Sequence, residues 1–519
     1  MLYLDRRSML ALRTTCQRLY HACNSARDGV VALARNHPHR LRLGMVRPGK
    51  QPGNAATVEA LVAALKANLP EKLWFGWNAV LGTSPDQLAA LQRCYAVNLE
   101  FISTEIDVSP LANVHTLTLR SLSCLTDVSA LGRVRVLCLA RCEQLTDVSA
   151  LGRVHTLEIS DCQSLTDVSA LGNVHTLNLF GCSMLTDVSA LGGVHTLNLS
   201  YCDQLTDVSA LGRVRILYLS YCDQLTDVSA LGGVHALYLS RCTALTDVSA
   251  LGGVHTLDLW GCTALTDVSA LGGVHVLKLA YCRHLTDVSA LGGVHTLDLS
   301  TCDRLEDVSA LGTVHTLNLS SCRELTDVSA LGTVHTLNLS RCAQLTDVSA
   351  LGRVHKLTLM WCDRLTDVSA LGGVHTLNLS RSRRITDVSA LGGVHTLSLS
   401  SFDHLTDVSM LSGVHTLDLS YCGRLSDVSA LSRVHTLTLS GCRQLTDVSA
   451  LNHVHTLTFC YCSEPLNVSD LTGVSCLKVI TCCLSVCLHA SRLRRLQSQS
   501  DRQPRYLLVP FHAIHYFPF

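Results

Sequence analysis

The sequence predicts an α/β-type repeat solenoid with one short strand per coil, and three observations make that prediction. The first is a period: the stretch Leu185 to Gln204, LTDVSALGGVHTLNLSYCDQ, returns every twenty residues from about Glu105 to Leu484, nineteen copies in a row. A fixed period of this length belongs to architectures in which one coil cannot bury its own apolar face and stacks on its neighbours instead. The second is an apolar frame. In the unit that begins at Leu145 it comprises Leu145, Val148, Leu151, Val154, Leu157, Ile159 and Cys162, and these seven side chains should point inward. The third is the two-residue alternation of Leu157-Glu158-Ile159, which is that of a strand. Stacked strands give a parallel sheet lining a concave face. The remaining residues of each unit suffice only for short turns on the convex face.

Composition narrows the function. Lys plus Arg equals Asp plus Glu at 41 each, so no overall field directs the chain to nucleic acid or to an anionic membrane. Sixteen of the 25 cysteines hold a single repeat position, from Cys142 to Cys482, so duplication explains their number. The first residues, MLYLDRRSML, carry charges at Asp5, Arg6 and Arg7 where a secretory signal needs an uninterrupted apolar core. No apolar run approaches the length of a membrane span. These features predict an intracellular, monomeric protein, cytoplasmic or nuclear, with reduced cysteines and without a cofactor or a metal.

Taken in order, the chain divides into residues 1–56, 57–84, 85–484 and 485–519. Tyr3 to Asn24 places Met9, Leu10, Leu12, Cys16, Leu19 and Tyr20 at mostly helical spacing, which predicts two short helices. The run of Leu4, Asp5, Leu10, Leu12, Arg13, Cys16, Arg18, Leu19 and Tyr20 resembles the second half of an F-box, whose opening Leu-Pro and first helix would precede it. That resemblance implies docking to a cullin-RING ligase adaptor through Leu4, Leu10, Leu12, Cys16, Leu19 and Tyr20. The other reading of the same residues is a helical pair that packs on the solenoid. Asp28 to Asn54 reads as a basic linker. Thr57 to Asn68 reads as an amphipathic helix and, with Leu73, Trp74, Phe75 and Trp77, as an amino-terminal cap. A degenerate coil at Leu91, Cys94, Val97 and Leu99 opens the solenoid, which starts near Pro85. After Cys482 the period fails, and the polar Ser491 to Arg505 leads to an apolar tail that would cover the last coil.

The frame resembles that of leucine-rich repeat proteins. Its LTDVSAL half is similar to the internalin-type unit, as Ile106-Asp-Val-Ser-Pro-Leu111 shows best, and its C-x-x-L-T-D junction to the cysteine-containing class. Three ladders run through the copies. Asp107 begins a row of aspartates through Asp447, each placed to accept backbone amides two or three residues on. One carboxylate per coil is too few to hold calcium. The cysteines fit a tight buried bend, with Ser382 and Phe402 replacing them in adjacent coils. Histidine recurs at His115, His155, His175 and His195, then from His235 to His455, with Arg135 and Arg215 interrupting. His155 and Cys162 lie too far apart along an extended strand to share a tetrahedral zinc. The recurring Asp147, Ser149 and His155 are separated by the turn and so cannot form a catalytic triad. A stacked imidazole row should resist protonation, so acid should loosen the coils.

Function must reside where near-identical copies differ. The strand middle carries Glu158, Asn178, Tyr218, Tyr238, Asp258, Lys278 and Thr358, and two residues on come Phe180, Trp260 and Met360. Immediately before the cysteine stand Tyr201, Tyr221, Tyr281, Tyr421 and Tyr461, Trp361, and Arg141, Arg241, Arg341 and Arg381. Tyr, Trp and Arg are the residues enriched at binding hot spots, so these positions are the candidate protein-binding set on the concave face. Neutral drift at solvated positions is the competing reading. Arg381, Arg383 and Arg384 fall in the coil that lost its cysteine, either as a site for an acidic partner or as a drifting coil. The expected function is non-enzymatic protein recognition, as an F-box-like substrate receptor or as a plain scaffold. A host-pathogen or adhesive role is the remaining reading.

Overall fold

The path of one coil follows from where its backbone groups can be satisfied. The computed structural model describes residues 31–33, 43–45, 74–78, 96–100, 106–460, 471 and 473–480. Contacts divide the chain into two units, Met1–Asp258 and Leu259–Phe519, and each is described by itself.

In the first unit the coil around Leu185 begins with a 3₁₀ turn, Ser189–Gly193, in which Leu191 N donates to Val188 O at 2.9 Å. Val194 then leaves in an extended conformation and its N–H closes the turn on Leu191 O. The strand Thr196–Asn198 pairs in parallel with Thr176–Asn178 on one side and Ile216–Tyr218 on the other, always twenty residues apart. Beyond the strand the ladder continues through Leu199 N to Tyr218 O at 2.8 Å and Tyr201 N to Ser220 O at 2.9 Å. Cys202 N then turns back to Leu199 O, and Leu205 N to Cys202 O. Two consecutive tight turns therefore swing the chain from the strand into the next coil without orphaning buried amides.

The parallel ladder of the first unit runs from Trp74–Asn78 to Thr256–Asp258, and that of the second from Val276–Lys278 to Cys476–Ile480. Trp74–Asn78, which the sequence assigns to a cap, already pairs in register with Ala96–Glu100. Inside the expected linker, Val31–Leu33 pairs antiparallel with Leu43–Met45. The two helices expected over Tyr3 to Asn24, the helix Thr57 to Asn68 and the carboxy-terminal tail lie outside the described residues.

All seven frame positions are buried in every regular coil; Leu151, Ile159 and Cys162 retain no exposed surface. Fully burying one leucine or valine side chain contributes roughly 1.5–3 kcal/mol, so stacking of these frames supplies most of the cohesion. The aspartate ladder does what its spacing predicts. Ser109 N donates to Asp107 Oδ1 at 2.9 Å, and the same bond recurs through Ser449 N to Asp447 at 2.8–2.9 Å. Backbone and hydroxyl donation from the serine holds these carboxyls below the ordinary carboxylate value.

Turns also set the separation between coils, through a residue the ladders do not reveal. A Cβ on Gly172 would overlap the Ala190 carbonyl oxygen, and the same holds for Gly212 against Ala230 and Gly332 against Ala350. Glycine fills this position in most coils because successive turns approach closely there, whereas the coils of Ser412, Ser432 and Asn452 admit a side chain.

Candidate functional site

The cysteine position opens the account of the strand exit, because the turn that buries it also positions the residue before it. Among the described residues each in-frame cysteine is buried and outside any disulfide, and its characteristic bond is donation to a carbonyl 23 residues back, as from Cys182 to Ile159 at 3.0 Å, Cys242 to Leu219 at 3.1 Å and Cys342 to Leu319 at 3.2 Å. Burial pushes the Cys182, Cys322 and Cys422 thiols up to about 12, so they are neutral and poor nucleophiles. Ser382 keeps the same bond, with Oγ donating to Leu359 O at 2.7 Å, and Phe402 fills its rung as a buried apolar residue.

For the turn to close, the residue before the cysteine must adopt a positive φ. Arg141, Tyr201, Tyr221, Arg241, Tyr281, Arg341, Trp361, Arg381 and Tyr421 all lie between 56° and 66°. This is the left-handed region that only glycine enters freely. Gly181, Gly261 and Gly441 occupy the same position in other coils, with φ of 70° to 72°. Those three in-frame glycines were the sequence signal for this conformation. At Gly441 the Tyr421 ring lies where a Cβ would stand, and at Gly181 the Asp161 carboxylate does.

The structure gathers many of the candidate residues into clusters. In the first unit Tyr201 and Tyr221 stack at 4.3 Å, and Phe180 meets Tyr201 at 4.9 Å. Tyr218 and Tyr238 stack at 4.4 Å along the strand middle. Partial burial and the Tyr221 hydroxyl raise the Tyr201 phenol above its ordinary value, and the charge of Arg241 opposes them. Arg141 pairs with Asp161 at 3.4 Å and lies apart from the aromatic groups. In the second unit Trp260 meets Tyr281 edge-on at 5.4 Å. Arg381 lies over the Trp361 ring at 4.6 Å and Arg341 at 5.8 Å, a guanidinium on each neighbouring rung. Tyr201, Tyr281 and Tyr421 are exposed by 39%, 37% and 53%, a large outlay of apolar surface for ladder residues. Arg381, Arg383 and Arg384 are exposed too. Tyr461 and the set Leu4, Leu10, Leu12, Cys16, Leu19 and Tyr20 lie outside the described residues.

A second row flanks the strand entry. The histidines are mostly exposed, and their rings stack from coil to coil, as in His175 with His195 at 4.6 Å and His375 with His395 at 4.6 Å. Each Nδ1 sits 3.1–3.3 Å from the hydroxyl of the following threonine where one is present, as in His195 with Thr196 and His335 with Thr336. Asp147, Ser149 and His155 do not converge: the aspartate holds the serine amide, and the imidazole pairs with Thr156. Among the described residues no three His, Cys, Asp or Glu side chains come together as a metal site.

No protein-family model matches the chain, and no curated protein does. Solved structures that align with it include the functional domain of InlJ from Listeria monocytogenes, which includes a cysteine ladder. It is 18% identical over 72% of this chain and 74% of that one, with a TM-score of 0.36. An internalin, inlF, of the same organism is 15% identical over 82% and 94%, with a TM-score of 0.25. A leucine-rich repeat protein of Leptospira interrogans is 14% identical over 87% and 99%, with a TM-score of 0.41. The assignment of this chain to a leucine-rich repeat solenoid rests on its own in-register strands, 3₁₀ turns and buried frame.

Proposed function

We propose that the chain is a non-enzymatic scaffold for protein recognition and that the strand exits, together with the strand middles, are its binding surface. One observation carries this reading. Side chains as large as Tyr, Trp and Arg stand in a left-handed conformation that costs an L-residue about 1–2 kcal/mol, in a frame where Gly181, Gly261 and Gly441 satisfy the same turn. A purely structural role would favour glycine throughout. Ser121, Asp161, Thr301, Ser321 and Ser401 take the same φ in other coils, but most of the side chains retained there are the Tyr, Trp and Arg that dominate binding hot spots, and the aromatic and guanidinium stacks hold them ready, which lowers the entropy lost on binding.

The test compares the full chain with two double variants, Tyr201→Ala with Tyr221→Ala and Trp361→Ala with Arg381→Ala, in crosslinked capture of partners. Loss of the same partners from one variant, with its circular dichroism unchanged, is the expected result. Identical captures by all three proteins sink the proposal.

The ubiquitin-receptor version rests on the F-box resemblance of Leu4 to Tyr20 alone. Recovery of a cullin-RING adaptor with the full chain, and its loss when residues 1–56 are deleted, supports that version. Absence of the adaptor from the full-length capture leaves the plain scaffold. Intracellular residence and a monomeric state belong to the same proposal, and fractionation and sedimentation test them.

A further inference from the structure

The histidine row is absorbed neither by the fold nor by the recognition surface. In the second unit it is unbroken: ten histidines from His275 to His455 stack consecutively at 4.5–4.7 Å, with ring planes within 10–25° of one another. At one strand spacing per coil the row extends roughly 40 Å. Where threonine follows, as at His315 and His415, its hydroxyl engages Nδ1, so the Nε2 edge is the one left to a ligand.

The flanks of the row are free of carboxylates. On the 3₁₀ side, two residues before each histidine, stand glycine, Thr313, Thr333, Arg353, Arg433 and His453; on the strand side, one residue after, stand threonine, Val276 and Lys356. Farther along the strand come Lys278, Asp298 and Asp418. Asp298 Oδ1 is engaged by Ser300 N and Asn318 Nδ2, and Asp418 Oδ1 by Ser420 N at 3.0 Å. The charges that act on His295, His335, His375 and His415 are those of neighbouring imidazoles. In the first unit the two interruptions are Arg135 and Arg215, which keep a cation and discard a metal ligand. That substitution favours an anion over a metal ion as the occupant.

We infer that the imidazole row of the second unit is an acid-gated docking strip for a linear carboxylated polysaccharide. Ten like rungs at one pitch distinguish no sequence, so they fit a polymer that carries the same charge on every unit. An extended acidic peptide offers same-side carboxylates only every ~6.6–6.8 Å and falls out of step with the rungs. Duplex DNA winds its phosphates around an axis and meets such a strip only where a strand crosses it. Desolvation in the stack, followed by repulsion between neighbours, holds His295, His335, His375 and His415 below their ordinary value, so these rungs are neutral at neutral pH. Below pH 6.5 the unfolded chain binds protons more readily at these four positions than the folded row does, so acid lowers stability there. A bound polyanion stabilises the charged row and reverses that loss.

The experiment measures binding of polygalacturonate to the full chain at pH 5.5 and 7.5 in low salt, by calorimetry and by thermal shift. Binding and a rise in Tm at pH 5.5, both at least tenfold weaker or absent at pH 7.5, are expected. Replacing His315, His335, His355 and His375 by Gln should abolish the effect. The corresponding arginine variant, which extends what Arg135 and Arg215 already do, should bind at both pH values. Equal binding of the wild-type chain at the two pH values overturns the inference, as does an arginine variant that still requires acid. Tighter binding of polyglutamate or duplex DNA than of polygalacturonate overturns the choice of occupant.

Discussion

Ser382 offers a direct test of how the cysteine rung works. Its side chain is fully buried; Oγ donates to Leu359 O at 2.7 Å and accepts from Cys362 N at 3.1 Å. In an ordinary rung the thiol makes only the first of these bonds, and the preceding cysteine amide turns back on its own coil, as Cys342 N does to Leu339 O at 3.3 Å. Ser382→Ala removes the hydroxyl and frees one buried donor and one buried acceptor. Leaving both bare would cost upward of about 2 kcal/mol. Leu359 O and Cys362 N can instead pair with each other as their counterparts do, so the expected loss is about 1–2 kcal/mol. Ser382→Cys restores the ordinary rung and should be neutral within about 0.5 kcal/mol. Because solenoid stability is a sum of local terms, the assay is amide hydrogen exchange resolved to residues 355–385, with residues 295–325 as the internal reference. Exchange in the alanine variant should rise roughly 5–30-fold at that coil and stay unchanged in the reference. Unaltered protection in Ser382→Ala, or a larger loss in Ser382→Cys than in Ser382→Ala, would refute the reasoning.

Three other outcomes are expected. Replacing Arg341 by Gly relieves a φ of 62° at an exposed site, so the coil should hold or gain up to about 1 kcal/mol by local exchange while partner capture falls; a marked loss of protection would show that the arginine is structural. Gly232→Ala drives a Cβ into the Ala250 carbonyl and should cost about 1–3 kcal/mol in the turns Ser229–Gly233 and Ser249–Gly253, whereas Ser412→Gly, in a coil already fitted to a side chain, should be nearly silent. The aspartate ladder has folded carboxyls lowered from 3.8, so its contribution is complete above that value and is lost as pH falls through the lowered values. Circular dichroism should therefore show an acid transition below pH 4, and Asp247→Asn, which keeps the acceptor for Ser249 N, should shift it little; an acid limb that moves as far in the Asn variant as in Asp247→Ala contradicts the assignment.

The twenty-residue period and the apolar frame from Leu145 to Cys162 sufficed to define the coil, its strand, its buried thiol and its aspartate-held turn, because each is set within one repeat or by identical neighbours. Stacking of the histidines followed for the same reason, since equal spacing places equal residues side by side. The left-handed strand exit was signalled only by the in-frame Gly181, Gly261 and Gly441, because Tyr201 and Arg341 read as ordinary variable residues; closure of the turn onto Leu199 or Leu339 shows that they adopt the same φ. The glycine of the turn gave no local sign, since what it avoids is a carbonyl of the next coil. Which aromatic meets which guanidinium was likewise decided between rungs, as Trp361 shows with Arg341 and Arg381. Sequence periodicity thus determined everything one coil needs to bury itself, and the tertiary structure decided what depends on the distance and direction between one coil and the next.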